Sequence, residues 1–171
     1  MTDLSQFRRN KNIQFQRDPY SPIPAEDRET FSGLNYLPES EALRLRLEIE
    51  LFEHQEEITM QTSTGHQASY RRYGQITFPV NGTTQTLTVF QGIDQPHLFL
   101  PFKDATSAKE TYGAGRYLEL EPLGRDKYAV DFNMAYNPYC AYSEYYNCPY
   151  PPDENHLKVP IPAGEKLLQK H

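Results

Sequence analysis

Residues 43–51, LRLRLEIEL, and residues 69–90, SYRRYGQITFPVNGTTQTLTVF, decide the fold class. In the first, Leu43, Leu45, Leu47, Ile49 and Leu51 alternate with Arg44, Arg46, Glu48 and Glu50. Period two over this length predicts a strand with one buried and one wet face. Leucine, arginine and glutamate each favour helix, but a helix would spread the five apolar side chains around its circumference. In the second stretch Asn81-Gly82 separates two β-rich runs, the strongest short signal for a hairpin, because a type I′ turn needs positive φ at both central residues. A two-residue turn pairs Val80 with Thr83. It then sets Ile76 opposite Leu87 on a core face and Thr77 opposite Thr86 on a wet one.

Working outward, EITMQT (57–62) and HLFLPF (97–102) read as further strands. GRYLELE (115–121) and KYAVDF (127–132) flank a turn around PLGRD and read as a second hairpin. About seven closely spaced strands without βαβ alternation predict a mainly β protein, an antiparallel barrel or sandwich. Residues 2–17 carry Leu4, Phe7 and Phe15 at near-helical spacing, with Asp3 or Thr2 as cap, and predict a short N-terminal helix. PAEDRETF (24–31) predicts a helical turn with Pro24 at its first position. Six of the 14 prolines fall between Pro138 and Pro162, so the C-terminal part should be irregular chain laid over the sheet. The expected layout is one domain: a helical arm over 1–32, a β core over 40–132, and a Pro/Tyr-rich wrap over 133–171.

The 171 residues carry a net charge of −6, which argues against a general nucleic-acid binder, since that needs a basic face. No apolar run approaches the roughly 18 residues of a membrane helix, so no membrane partner is expected. MTDLSQFRRNKN lacks the apolar centre of a signal peptide, so a cytoplasmic location is expected. Leu, Ile, Val and Phe make only about 21% of the chain, near the level where disorder becomes a serious reading. The 13 tyrosines point instead to an aromatic, hydrogen-bonded core.

Two segments carry candidate chemistry. The loop KDATSAKETYGAGR (103–116) gathers Lys103, Thr106, Ser107, Lys109, Tyr112 and Arg116 beside glycines. Amides, hydroxyls and cations of this kind suit a phosphate or carboxylate. The spacing does not match a phosphate-binding P-loop, and Asp104, Thr106 and Ser107 can equally cap their own turn. The segment DFNMAYNPYCAYSEYYNCPYPPDEN (131–155) holds six tyrosines, with Asn133, Tyr136, Asn137 and Asn155 as ligand-binding candidates. Such a surface can stack on a ring, or its amides and hydroxyls can satisfy the loop's own backbone. Asp131, Cys140 and Glu154 are the candidates for acid–base or nucleophilic work. Cys140 and Cys148, with seven residues between them, are spaced too widely for a zinc ribbon, and no metal site or cofactor is expected. They can be packed thiols or close a disulfide, which a cytosolic compartment would keep reduced.

GLNYLP, YRRYGQITF, LFLPFKDATSAKETYGAGRYLEL and VDFNMAYNPYCAYSEYYNCPYPPDENHLKVPIPAGEK resemble the family catalogued as domain of unknown function 1684, from about Phe15 to Lys166. Its members are bacterial and archaeal proteins of about this size. Where that family's pattern often reads TSGKETYG, Ala108 stands in place of the usual glycine, which weakens a glycine-dependent anion loop. The resemblance implies a coherent domain and supplies no mechanism. The leading expectation is a small molecule, an anionic one included, bound where loops 103–116 and 131–155 meet. The alternatives are a hydrolase or transferase using Asp131 or Glu154 with Cys140, and an interaction module presenting the tyrosine-rich loop. Oligomeric state is left open.

Overall fold

The computed structural model describes residues 3–168. Its strands, in chain order, are β1 (Arg44–Glu48), β2 (Glu50–Leu51), β3 (Glu57–Gln61), β4 (Gln67–Val80), β5 (Thr83–Gly92), β6 (Leu98–Phe102), β7 (Arg116–Leu118), β8 (Glu121–Gly124) and β9 (Lys127–Asp131). They form two antiparallel sheets. The smaller has the order β1-β9-β8; the larger runs β2-β4-β5-β6-β7, with β3 also paired to β4. The sheets stay separate, so the arrangement is a sandwich and not a closed barrel.

The central hairpin has the expected register. Val80 faces Thr83, Ile76 faces Leu87 and Thr77 faces Thr86. Asn81 and Gly82 adopt φ of 49° and 80°, as a type I′ turn requires. Ile76 and Leu87 are fully buried, while the Thr77 and Thr86 hydroxyls meet at 3.4 Å on the wet face.

Two expected strands are each divided between the sheets. The run 43–51 breaks at Ile49, with β1 pairing β9 and β2 pairing β4. Leu51, expected in the core, is consequently exposed on an edge. The run 115–121 breaks at Glu119–Leu120, with β7 joining β6 and β8 joining β9. The second hairpin is therefore β8–β9, turning at Arg125 and Asp126, both with positive φ. Leu43, Val130 and Phe132 from the small-sheet side pack with Ile76, Phe78, Leu87, Leu100, Phe102 and Leu118 from the large sheet in one core.

A single α-helix, α1 (Leu4–Arg17), occurs among the described residues; Asp3 caps it by accepting from the Gln6 amide, and Thr2 lies outside the described residues. Its Phe15 is buried with Ile23 and Leu34. The turn expected at 24–31 is a 3-10 turn, Ala25–Asp27, with Pro24 just before it. Beyond β9 the chain is irregular apart from short 3-10 turns at Phe132–Met134, Tyr139–Ala141 and Asp153–Asn155. It is tied to the sheets by bridges such as Thr62 to Pro149 and Tyr117 to Tyr136.

Candidate functional site

The loop after β6 folds around Asp104. Thr106 Oγ1 donates to the Asp104 carboxylate at 2.9 Å and also meets the Thr111 hydroxyl at 2.9 Å. Ser107 Oγ lies 3.3 Å from the same carboxylate. Arg116, only 1% exposed, sits 3.6 Å from Asp104. It donates to the carbonyls of Ile161, at 2.9 Å, and Ala163. Its guanidinium thus pins the C-terminal strap, and burial pulls its pKa down. Lys103 joins the fold through its backbone, donating to Asn155 O and accepting from Leu157 N; Lys109 is exposed.

The candidate asparagines of the second segment, Asn133, Asn137 and Asn155, are buried. Asn155 Nδ2 donates to the carbonyls of Thr88 and Pro101 at 2.9 and 2.8 Å, and its Oδ1 accepts from Thr88 N at 2.8 Å. Its amide thereby closes a gap between β5 and β6. Asn133 does the same for Ser40, giving to its carbonyl and accepting from its amide, both at 2.8 Å. The three candidates for chemistry have separate partners. Asp131 accepts from Asn133 N and Nδ2 and approaches Arg44, Glu154 pairs with Arg72 at 3.0 Å, and Cys140 meets Tyr112 and Cys148.

The two loops meet at a cavity of about 610 Å³. Tyr112 comes from the first loop, and Asn137, Ala141 and Tyr142 come from the second. Ile23, Asp27, Thr30, Phe31, Ser32 and Asn35 form the facing wall, with Leu167 and Leu168 beside them. Tyr112 and Asn137 are the sequence candidates that line it. Asn137 Nδ2 gives one hydrogen to Tyr142 Oη at 3.1 Å and the other to Lys166 O at 3.0 Å. Tyr142 in turn donates to Glu165 at 2.9 Å. This chain fixes the amide's orientation and leaves Asn137 Oδ1 buried without a donor. Glu165, 2% exposed, also accepts from Asn137 N at 3.1 Å and pairs with Lys11 of α1. Burial, with Glu165 nearby, pushes the Tyr142 hydroxyl pKa well up.

The facing wall and Glu165 were not foreseen. The faint signals for them were the turn-forming stretch before Ser32-Gly33 and a lone acid in a proline-rich tail. Tyr136 lies instead in a second groove of about 540 Å³ between α1 and the tyrosine segment, with Lys11, Phe15, Tyr117, Glu119 and Tyr139. Its hydroxyl donates to Glu119 at 3.1 Å. The thiols lie close by, Cys148 lining this second groove. The Cys140 amide donates to Cys148 Sγ at 3.3 Å, and Tyr112 Oη stands 3.7 Å from Cys140 Sγ. The bond from the Cys148 thiol, partly opposed by burial and helped by Tyr112 and Ser63, draws the Cys140 pKa down to about 6. The same bond, with burial, pushes Cys148 up.

Fold and site together define a class: a two-sheet antiparallel β protein whose irregular C-terminal strap walls a tyrosine- and asparagine-lined cavity. Residues 29–166 match the family described as Protein of unknown function (DUF1684), and the chain belongs to that family. It is similar to the solution NMR structure of the uncharacterized protein from gene locus rrnAC0354 of Haloarcula marismortui. The TM-score is 0.74 at 33% identity, over 98% of this chain and 94% of that one. No curated protein matches the chain. Among the described residues no helix is long and apolar enough to cross a membrane.

Proposed function

We propose that this chain is a cytoplasmic protein that binds a small molecule in the cavity between loops 103–116 and 131–155. The observation that carries the reading is the cavity itself. Its volume of about 610 Å³ falls within the range of small-molecule sites, roughly 300–1,000 Å³, and it joins apolar walls to a few polar groups. The lining includes Asp27 and neither lysine nor arginine, while Arg116 is engaged with the chain's own carbonyls. These features favour a neutral or cationic molecule over an anion. The hydrolase or transferase alternative has less support, because Asp131, Glu154 and Cys140 share no partner.

Ala141 lines the cavity and is partly exposed, so Ala141→Trp fills the space from its rim. Native mass spectrometry of the protein taken from cells, followed by thermal shift against a library of small neutral and cationic metabolites, tests the proposal. At a hundredfold excess over Kd a ligand stabilises by about 2.7 kcal/mol, and Ala141→Trp should abolish that gain while keeping the β-sheet spectrum. If no compound stabilises the wild-type protein more than the filled variant, the proposal is wrong.

A further inference from the structure

We infer that Cys140 and Cys148 form a dithiol redox site that reacts with low-molecular-weight disulfides, with Cys140 as the attacking thiol and Cys148 as the resolving one. The two sulfurs belong to one hydrogen-bonded group. The Cys140 amide points at Cys148 Sγ at 3.3 Å, and the Tyr112 hydroxyl stands 3.7 Å from Cys140 Sγ. Both are free. Their exposure differs in the sense the chemistry needs: Cys140 is partly open, whereas Cys148 is buried. A disulfide arriving from solvent therefore meets Cys140 first.

Each thiol sits on a backbone held by the rest of the fold. Cys140 lies in the 3-10 turn Tyr139–Ala141. Cys148 N donates to Ser63 Oγ at 3.0 Å, and Cys148 O accepts from Ser63 N at 2.9 Å. Groups facing the pair are Tyr112 and Tyr117 together with the Ser63 hydroxyl. No cation is among them; the Tyr112 hydroxyl, 3.7 Å from Cys140 Sγ, can donate to a Cys140 thiolate, and the neighbouring Cys148 thiol favours it. Thiolates are the nucleophiles in exchange, and one with a pKa near ambient pH attacks best.

The reaction balances without further components. Cys140 thiolate attacks one sulfur of RSSR, that S–S bond breaks, and RS⁻ leaves with the Cys148 proton. Cys148 thiolate then attacks Cys140 Sγ and expels the second RS⁻, which takes up the proton that Cys140 released on ionising. The protein loses two electrons and two protons, and the disulfide is reduced to two RSH.

The test treats the native full chain with glutathione disulfide at neutral pH, followed by acid quench and mass analysis. The wild-type protein should lose two hydrogens and yield a linked Cys140–Cys148 peptide. Cys148→Ser should stop with one glutathione on Cys140, and Cys140→Ser should stay unmodified. Iodoacetamide labelling of Cys140 should be half-maximal near pH 6 in the wild type, and at a higher pH in Tyr112→Phe. The wild-type result needs no variant to fold. Two free thiols after a treatment that links the urea-unfolded chain would overturn the proposal. So would disulfide-joined dimers in place of the internal bond, or Cys148→Ser free of glutathione.

Discussion

Asn155 shows how one buried amide can hold two strands. Its three hydrogen bonds satisfy Thr88 N, Thr88 O and Pro101 O. Asn155→Leu leaves these groups buried and unpaired, at about 1–3 kcal/mol for each group that water fails to reach. The expected loss is about 3 kcal/mol or more in urea unfolding, and a loss below about 1 kcal/mol would refute this role. Ala108 makes the opposite case. Its φ of 67° lies in the left-handed region that costs an L-residue about 1–2 kcal/mol, part of which glycine's greater chain entropy offsets. The side chain is exposed, so its removal opens no cavity. Ala108→Gly should therefore stabilise the protein by about 0.5–1 kcal/mol, read as a raised urea midpoint at unchanged slope. The glycine usual here in the resembling family has a conformational reason independent of any anion.

Where the chain changes sheet, β2 depends on Gly74 of β4. A Cβ at Gly74 would lie 2.6 Å from Glu50 O and 2.7 Å from Ile49 Cγ2, so the two strands can pair only without one. Gly74→Ala should force β2 away from β4 and cost about 1–3 kcal/mol. Hydrogen exchange gives the finer test. The Phe52 amide, which donates to Tyr73 O, should exchange faster, while amides at the Ile76–Leu87 pairing keep their protection. Equal acceleration at both places would mean that the substitution disturbs the whole sheet. The C-terminal strap is held in a comparable way, by Arg116 gripping the carbonyls of residues 161 and 163. That segment has almost no regular structure of its own, so its position is set by such side chains together with isolated backbone bridges to the strands beneath.

Across the molecule, the tyrosine-rich packing has a consequence for alkaline stability. Burial is the main cause raising the hydroxyl pKa of Tyr36, Tyr117, Tyr136 and Tyr142 above the ordinary value of about 10. Above that value the unfolded chain has released protons that the folded chain still holds. Stability is then full below about pH 10 and falls as pH rises, by up to about 1.4 kcal/mol per pH unit for each such tyrosine. Equilibrium unfolding between pH 8 and about pH 11 should show this slope, with tyrosinate absorbance from these residues rising together with loss of the β spectrum. Independent titration of all 13 tyrosines in a folded chain would contradict it.

What the amino-acid sequence determined by itself was local. Alternation at 43–51, the Asn81-Gly82 turn with its register, the Asp3-capped helix and the irregular tail were legible because each follows from backbone preferences of neighbouring residues. Tertiary structure decided the rest. It broke two continuous alternating runs at Ile49 and Glu119–Leu120, since both pieces keep the same apolar period whichever sheet they join. It also chose partners for the polar residues. Arg116, Asn133 and Asn155 were legible as groups requiring partners, but those partners are carbonyls and amides 45 to 93 residues away. A side chain's chemistry states its demand for a hydrogen bond, whereas only the folded chain determines whether backbone or a ligand meets it.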